Sequence, residues 1–292
     1  MIDNFLNDYK VLIEEEIDRL YPDISTTWYK EVLDASRYSL TLGGKRIRPI
    51  IMLEFCKLFG GKAEDVINFA VALEMIHTYS LIHDDLPCMD NDDMRRGKPA
   101  CHIKYGEDIA LLAGDTLLTE SFKIAADSSA NANLKIKAIS VLAERAGLHG
   151  MIGGQVMDLS FEKNKPNLDL LRTMYIKKTG CLISAAAEIG AIIGGASNDE
   201  IAIAQNYAVN LGLAFQIIDD ILDVIGDEAL LGKPIGSDDE NGKTTFVTIL
   251  GLEKAKDVAA QLTEEALGLL SKLNGNTTNL KDLTQYLLAR KY

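Results

Sequence analysis

The sequence predicts an all-α protein, and three observations carry this. Only six prolines occur in 292 residues, so long stretches lack the residue that breaks a helix interior. Apolar residues recur at spacings of three and four, the period of a helix face. No window sustains the apolar–polar alternation with β-branched residues that marks a strand.

The elements follow in order. The N-terminal stretch is acidic and amphipathic, without the basic start and apolar centre of a signal peptide. Gly43-Gly44 precede Pro49, and Gly60-Gly61 and Gly194-Gly195 read as helix ends. Val66, Phe69, Ala70, Leu73, Ile76 and Leu81 form one apolar stripe. Leu211, Ala214, Phe215, Ile218 and Leu222 form another. Segments 86–106 and 226–245 combine Gly and Pro with many charges and read as loops, and such loops are often functional. Residues 181–195 are the most membrane-like run. They carry Glu188 and fall short of the ~20 apolar residues of a span, so a buried helix is expected. No Pro/Ser-rich linker divides the chain. One domain over residues 1–292, of about ten or more helices, is expected.

Composition narrows the function. The net charge of −13 argues against nucleic acid as the partner, because an acidic chain repels a polyanion outside local basic patches. Cys56, Cys88, Cys101 and Cys181 form no C-x-x-C pair and no zinc spacing. They read as reduced thiols of a cytoplasmic protein.

Two carboxylate clusters stand out. The first is Asp84-Asp85-Leu-Pro-Cys-Met-Asp90 with Asn91-Asp92-Asp93, at the close of the first stripe. The second is Asp219-Asp220-Ile-Leu-Asp223, inside the other stripe. Residues four apart share a helix face, so Asp219 and Asp223 project together, with Gln216 one turn earlier. Alone, an Asp-Asp pair in an acidic protein is an ordinary solvated face. The second cluster lies among Phe215, Ile217, Ile218, Ile221, Leu222, Val224 and Ile225, where charge is seldom left unpaired. A multivalent cation would remove the burial penalty, and hard oxygens suit Mg²⁺, which takes one or two carboxylates plus substrate phosphates. A calcium loop starting at Asp90 fails, with Arg95 in place of its Gly and Cys101 in place of its Glu. A zinc hydrolase fails for want of His-Glu-x-x-His.

Basic groups punctuate the acidic chain. Gly43-Gly44-Lys45-Arg46-Ile47-Arg48-Pro49 is one patch, and Arg95-Arg96-Gly97-Lys98-Pro99 directly follows the first carboxylates. Lys177-Lys178-Thr179-Gly180, Lys233 and Lys243-Thr244 lie near breaks. Each alone is an ordinary surface cation. Beside the carboxylates they describe a site for an anionic, metal-bound ligand, and diphosphate satisfies both halves.

These motifs, in this order from about residue 43 to 245, resemble the trans-prenyl diphosphate synthases. The stretch Tyr79-Ser-Leu-Ile-His-Asp-Asp-Leu-Pro-Cys-Met-Asp90 is especially similar to that of bacterial farnesyl diphosphate synthases. The resemblance implies the isoprenoid synthase fold, helices around a deep central cavity, and a homodimer without a membrane span. It implies Mg²⁺, with Mn²⁺ as a substitute: two ions on Asp84 and Asp90, a third on Asp219, with Asp85, Asp220 and Asp223 supporting and Asp223 also a candidate ligand. Arg95, Lys178, Thr179, Gln216, Lys233 and Lys243 would bind the allylic diphosphate. Lys45, Arg48, His77 and Arg96 would bind isopentenyl diphosphate. Thr179, Phe215 and Gln216 would face the allylic cation, which a dry site protects from water.

The product chain should run back from Asp84 along its helix. Tyr79, five residues earlier and about 7.5 Å away, can floor that path, while Ser80 is too small to block it. The expected product is farnesyl diphosphate, with geranylgeranyl diphosphate as the near alternative. Tyr79 as plain core packing stays open, as does His83 as either a carboxylate partner or a packed histidine. His102 and His149 have no argued role. A terpene cyclase would carry Asn, Ser and Glu at its second metal motif. A non-catalytic subunit of a heteromeric synthase and an acidic cation-binding structural protein are the readings from other classes.

Overall fold

The apolar run ending in the first carboxylates folds as one 22-residue helix, α4 (Ala63–Asp84), buried along most of its length. The computed structural model describes residues 2–23, 28–225 and 243–288. Before α4 come α1 (Ile2–Leu20), α2 (Lys30–Thr41) and α3 (Ile47–Leu58). After it come α5 (Cys101–Tyr105), α6 (Glu107–Ala126), α7 (Ala132–Ala146), α8 (Met151–Lys163), α9 (Leu168–Tyr175), α10 (Cys181–Gly194) and α11 (Asn198–Ile225). The described C-terminal part adds α12 (Phe246–Leu250), α13 (Leu252–Leu270) and α14 (Thr278–Leu288).

α4 packs against α6, α3, α10, α1 and α2, and α10 lies against α3 and α11. This arrangement makes one large apolar core, in which Phe55, Phe69 and Tyr207 are fully buried. A smaller core forms where α11 meets α9, α12 and α13, around Leu171, Ile217, Ile221 and Phe246.

Three expectations need correction. Residues 181–194 are a buried helix as expected, with Glu188 paired to Arg145 at 2.9 Å. Among the described residues, the helix both apolar and long enough to cross a membrane is α4, however, and 78% of its most apolar window is buried inside the protein. Its hydropathy is that of a core helix. Segment 86–106 is also not loop throughout. Met94–Arg95 (β1) and Lys98–Pro99 (β2) pair as a minimal antiparallel hairpin. Its two turn residues, Arg96 and Gly97, have φ of 52° and 73°, the positive pair of a type I′ hairpin turn.

Residues Lys177–Gly180 do not lie at a break either. The chain passes from α9 to α10 through a single π-helical turn, Ile176–Gly180, a kind of widening frequent at functional sites.

Candidate active site

Asp84 is the last residue of α4 and Asp85 its C-cap. A helix C-terminus already carries partial negative charge, so two carboxylates there need positive partners. Gln155 Nε2 of α8 donates to Asp84 Oδ1 at 2.6 Å, and Lys178 Nζ lies 3.9 Å from Oδ2. Burial pushes Asp84 up to about 6, with Lys178 opposing the rise and the nearby Asp90 carboxylate adding to it. Asp90 is exposed, and its N–H donates to the Asp84 carbonyl at 2.9 Å, folding the acidic loop back on the helix end. Asp85 is buried and forked by Arg95, whose Nε lies 3.0 and 3.2 Å from its two oxygens. Burial raises the Asp85 pKa against the pull of Arg95. Arg95 reaches Asp92 as well, at 3.3 Å.

The second cluster is on α11. Asp223 and Asp220 are buried, and Asp219 is half-buried. Asp220 accepts hydrogen bonds from the Tyr175 hydroxyl at 2.8 and 2.9 Å and from the Phe246 N–H at 2.9 Å. It thereby fastens the start of α12 to α11 and holds its own backbone, with Asp219 beside it, in place.

The π turn joins the two clusters. Lys178 donates to Asp158 Oδ2 of α8 at 2.5 Å while standing 3.9 Å from Asp84. Burial alone would lower its pKa, but Asp158 and Asp84 outweigh burial and keep the ammonium charged. The next residue, Thr179, donates to Gln216 Oε1 at 2.9 Å, one turn before Asp219 on α11. Close helix approach makes this possible. A Cβ on Gly154 would sit 2.2 Å from the Lys178 nitrogen, and one on Gly212 would sit 2.9 Å from Gly180 Cα. Among the described residues, no three His, Cys, Asp or Glu side chains stand close enough to hold a metal ion by themselves. Hard carboxylate oxygens on two elements, one of them lifted by burial, fit an ion that completes its shell with water and phosphate.

A second feature is basic. Lys45, Arg48, His77 and Arg96 line one cavity of ≈ 140 Å³, with Ile183, Leu211 and Phe215 as apolar wall. Arg96 donates to the Gly43 carbonyl. A Cβ on Gly44, where φ is +131°, would meet the Arg96 guanidinium at 2.8 Å, so the Gly-Gly pair lets the arginine lie on the backbone. Burial first, then Arg48 and Arg96, push His77 well below its usual value. It is therefore neutral at pH 7 and offers a hydrogen bond rather than a charge.

The remaining predicted residues are placed as follows. Tyr79 is buried, with its hydroxyl unpartnered and its ring edge-on to His83 at 5.7 Å. Ser80 donates to the His77 carbonyl at 2.8 Å. His83 packs over Gly114, with Nε2 3.0 Å from the Leu111 carbonyl of α6. Its ring therefore packs on α6, where Nε2 also lies 4.0 Å from Asp115. Lys243 is exposed, ahead of the capping box Thr245/Thr248 of α12. Lys233 and most of segment 226–245 lie outside the described residues. Sequence reasoning missed Gln155 and Asp158. Their only signal is a polar i, i+3 pair on one face of α8, just after Gly154.

Residues 29–287 match the Polyprenyl synthetase family. A geranylgeranyl diphosphate synthase of Cyanophora paradoxa is 46% identical over 265 residues, 90% of this chain and 87% of that one. A farnesyl diphosphate synthase of Micrococcus luteus is 42% identical over 283 residues, 97% and 96% of the two chains. The crystal structure of an FPP/GFPP synthase from Zymomonas mobilis superposes with a TM-score of 0.88 at 33% identity, covering 98% of each chain. The chain belongs to the polyprenyl synthetase family, and its fold is that of the isoprenoid synthases. That membership makes it a prenyltransferase.

Proposed function

We propose that the protein condenses isopentenyl diphosphate with dimethylallyl and then geranyl diphosphate, releasing diphosphate and giving farnesyl diphosphate. The observation that carries this reading is the π turn: Lys178 faces the first carboxylate cluster while Thr179 holds Gln216 beside the second. The allylic diphosphate belongs between the clusters. Asp84, Asp90, Asp219 and Asp223 are the residues that would hold Mg²⁺, and when bound the metal neutralises charge on the leaving diphosphate. Lys178 supplies a fixed positive charge at the same place. The basic cavity takes the second diphosphate, with Lys45, Arg48 and Arg96 as cations and neutral His77 as donor. Thr179, Gln216 and Phe215 present a hydroxyl, an amide and an aromatic face toward the developing cation. Apolar walls from α10 and α11 exclude water that would quench it.

Tyr79 favours the fifteen-carbon product. It is buried on α4 behind Asp84, where an elongating chain descending that helix meets its ring. Relatives making both lengths resemble the chain, so geranylgeranyl diphosphate is the competing product. Exposed apolar residues on α6, on α7 and in the turn that follows α7, among them Leu111, Leu112, Ile136 and Leu148, support a homodimer. Four free cysteines suit a reducing, cytoplasmic setting. Chromatography of products from isopentenyl and dimethylallyl diphosphates, with and without magnesium, tests the reading. Dominant products of twenty carbons or more, or turnover indifferent to magnesium removal, would refute the respective parts.

A further inference from the structure

The Lys45–Arg48 segment contains a third cation, Arg46, which borders the cavity together with Glu74 but is held differently from its neighbours. Arg46 has a fully buried side chain between the two pocket residues. Its Nη1 donates to Glu74 Oε1 at 2.8 Å and its Nη2 to the Leu40 carbonyl at 2.7 Å. Its Nε lies 3.9 Å from Glu14 of α1. Its backbone is left-handed, φ 51° and ψ 32°, immediately before α3 begins, a conformation disfavoured for any residue with a Cβ unless its surroundings hold it. Arg46 is thus turned inward against its own backbone preference, and three elements supply the hold.

This geometry bears on the neighbouring residues. Reversing the backbone at Arg46 sends Lys45 and Arg48 to the same cavity, although they leave the chain on either side of it. Glu74 sits one turn before His77 on α4, so one carboxylate registers the segment against the helix that carries His77. We propose that the Arg46–Glu74 pair is a positioning device for the diphosphate cavity. It sets the spacing of Lys45 and Arg48 relative to His77, and so the affinity for the non-allylic diphosphate, while its two terminal guanidinium nitrogens stay engaged by Glu74 and Leu40. The assignment of the cavity to isopentenyl diphosphate rests on the function proposed above. The positioning of cations for a diphosphate does not.

The experiment compares Arg46→Lys, Arg46→Met and the double variant Arg46→Met/Glu74→Met in the full chain. Replacing a buried ion pair by apolar residues of similar volume is often neutral for stability, so the double variant separates folding from positioning. The expected result is a KM for isopentenyl diphosphate raised about tenfold in the double variant, since a displacement of about 1 Å is costly in a preorganised site. The KM for geranyl diphosphate should stay within about twofold, because that substrate binds elsewhere. Arg46→Lys, which keeps the charge and loses the fork, should lie between. A double variant with the parent unfolding temperature and an unchanged KM for isopentenyl diphosphate overturns the proposal. If neither Met variant folds, Arg46→Lys decides, and an unchanged KM there overturns it. Calorimetry with inorganic diphosphate, metal-free, reads the cavity without turnover. A parent that binds diphosphate but makes no prenyl product sinks the proposed function alone. A parent that binds none, or variants that bind it as the parent does, sink the positioning role.

Discussion

Lys178 makes its close ion pair with Asp158, 2.5 Å from Nζ to Oδ2. Asp84, the carboxylate at the end of α4, is 3.9 Å away. The ammonium is therefore held by a carboxylate of α8 and presented beside the first acidic cluster. Gln155 of the same α8 face donates to Asp84. One helix face thus orients both the cation and the acid, and the π turn supplies the slack that lets Lys178 and Thr179 point to different partners.

Lys178→Ala should lower kcat with geranyl diphosphate by about 10²–10³-fold, the usual consequence of losing one preorganised charge at a leaving group. The KM for isopentenyl diphosphate should change little. Steady-state kinetics with each substrate varied in turn checks this. A loss confined to the KM for isopentenyl diphosphate would move Lys178 to the other site. Asp158→Asn should give a smaller fall, about tenfold, since it loosens the ammonium without removing it.

Asp84→Asn should stabilise the metal-free protein at pH 8 while costing activity. Burial raises the Asp84 pKa from 3.8 to about 6, so the folded state binds its proton more tightly than the unfolded chain does. The stability contributed by that proton is full below about pH 4 and is lost as pH rises through 6. Above that, the buried carboxylate costs about 1–3 kcal/mol, from a shift of about two units at 1.36 kcal/mol each, reduced for residual solvent contact. Asparagine avoids that cost. Urea unfolding in chelator should show the variant ahead at pH 8 and level with the parent near pH 4. A variant less stable at both pH values would contradict the burial argument.

Tyr79→Ala should lengthen the product, with twenty-carbon and longer chains appearing, and should cost about 3 kcal/mol of stability through the cavity it leaves. Tyr79→Phe separates ring from hydroxyl. The hydroxyl is buried with no partner, so removing it should be neutral or stabilising by about 1 kcal/mol and leave the product unchanged. Product chromatography of the two variants decides. An unchanged profile in Tyr79→Ala would return the residue to plain core packing.

Much of this site was legible before folding, for identifiable reasons. Asp219 and Asp223 announce themselves because a helix turn puts them together amid apolar neighbours. Lys45, Arg48, His77 and Arg96 come from three separate segments, so their meeting in one cavity was legible only through resemblance. Gln155 and Asp158 were invisible because both are ordinary polar residues on a half-exposed helix face, and their roles exist only once Gly154 lets α8 touch the π turn. The hairpin at 94–99 is too short for any alternation to register. The π turn leaves no mark in periodicity, because five residues are too few to shift the apolar stripe. Arg46 looked like one more basic residue in a patch, and only its burial against Glu74 and Leu40 sets it apart from its neighbours.

Gly154→Ala tests whether the α8–π-turn contact is what holds the two clusters in register. A Cβ there would stand 2.2 Å from the Lys178 nitrogen and 2.6 Å from its Cα. Those are backbone atoms that cannot rotate aside, so α8 must back away. Overpacking of this kind costs about 1–3 kcal/mol. The same shift pulls Gln155 from Asp84 and Asp158 from Lys178, so kcat should fall by about tenfold or more even in the fraction that remains folded. Gly268→Ala is the matched control. It lies in α13 with nothing within 4 Å of the added Cβ, and it should raise stability by about 0.5–1 kcal/mol through helix propensity at unchanged activity. Thermal unfolding and steady-state kinetics on both variants make the comparison. A Gly154→Ala enzyme that is destabilised yet turns over at the parent rate would show that the contact merely supports the fold, and that Lys178 finds its place without α8.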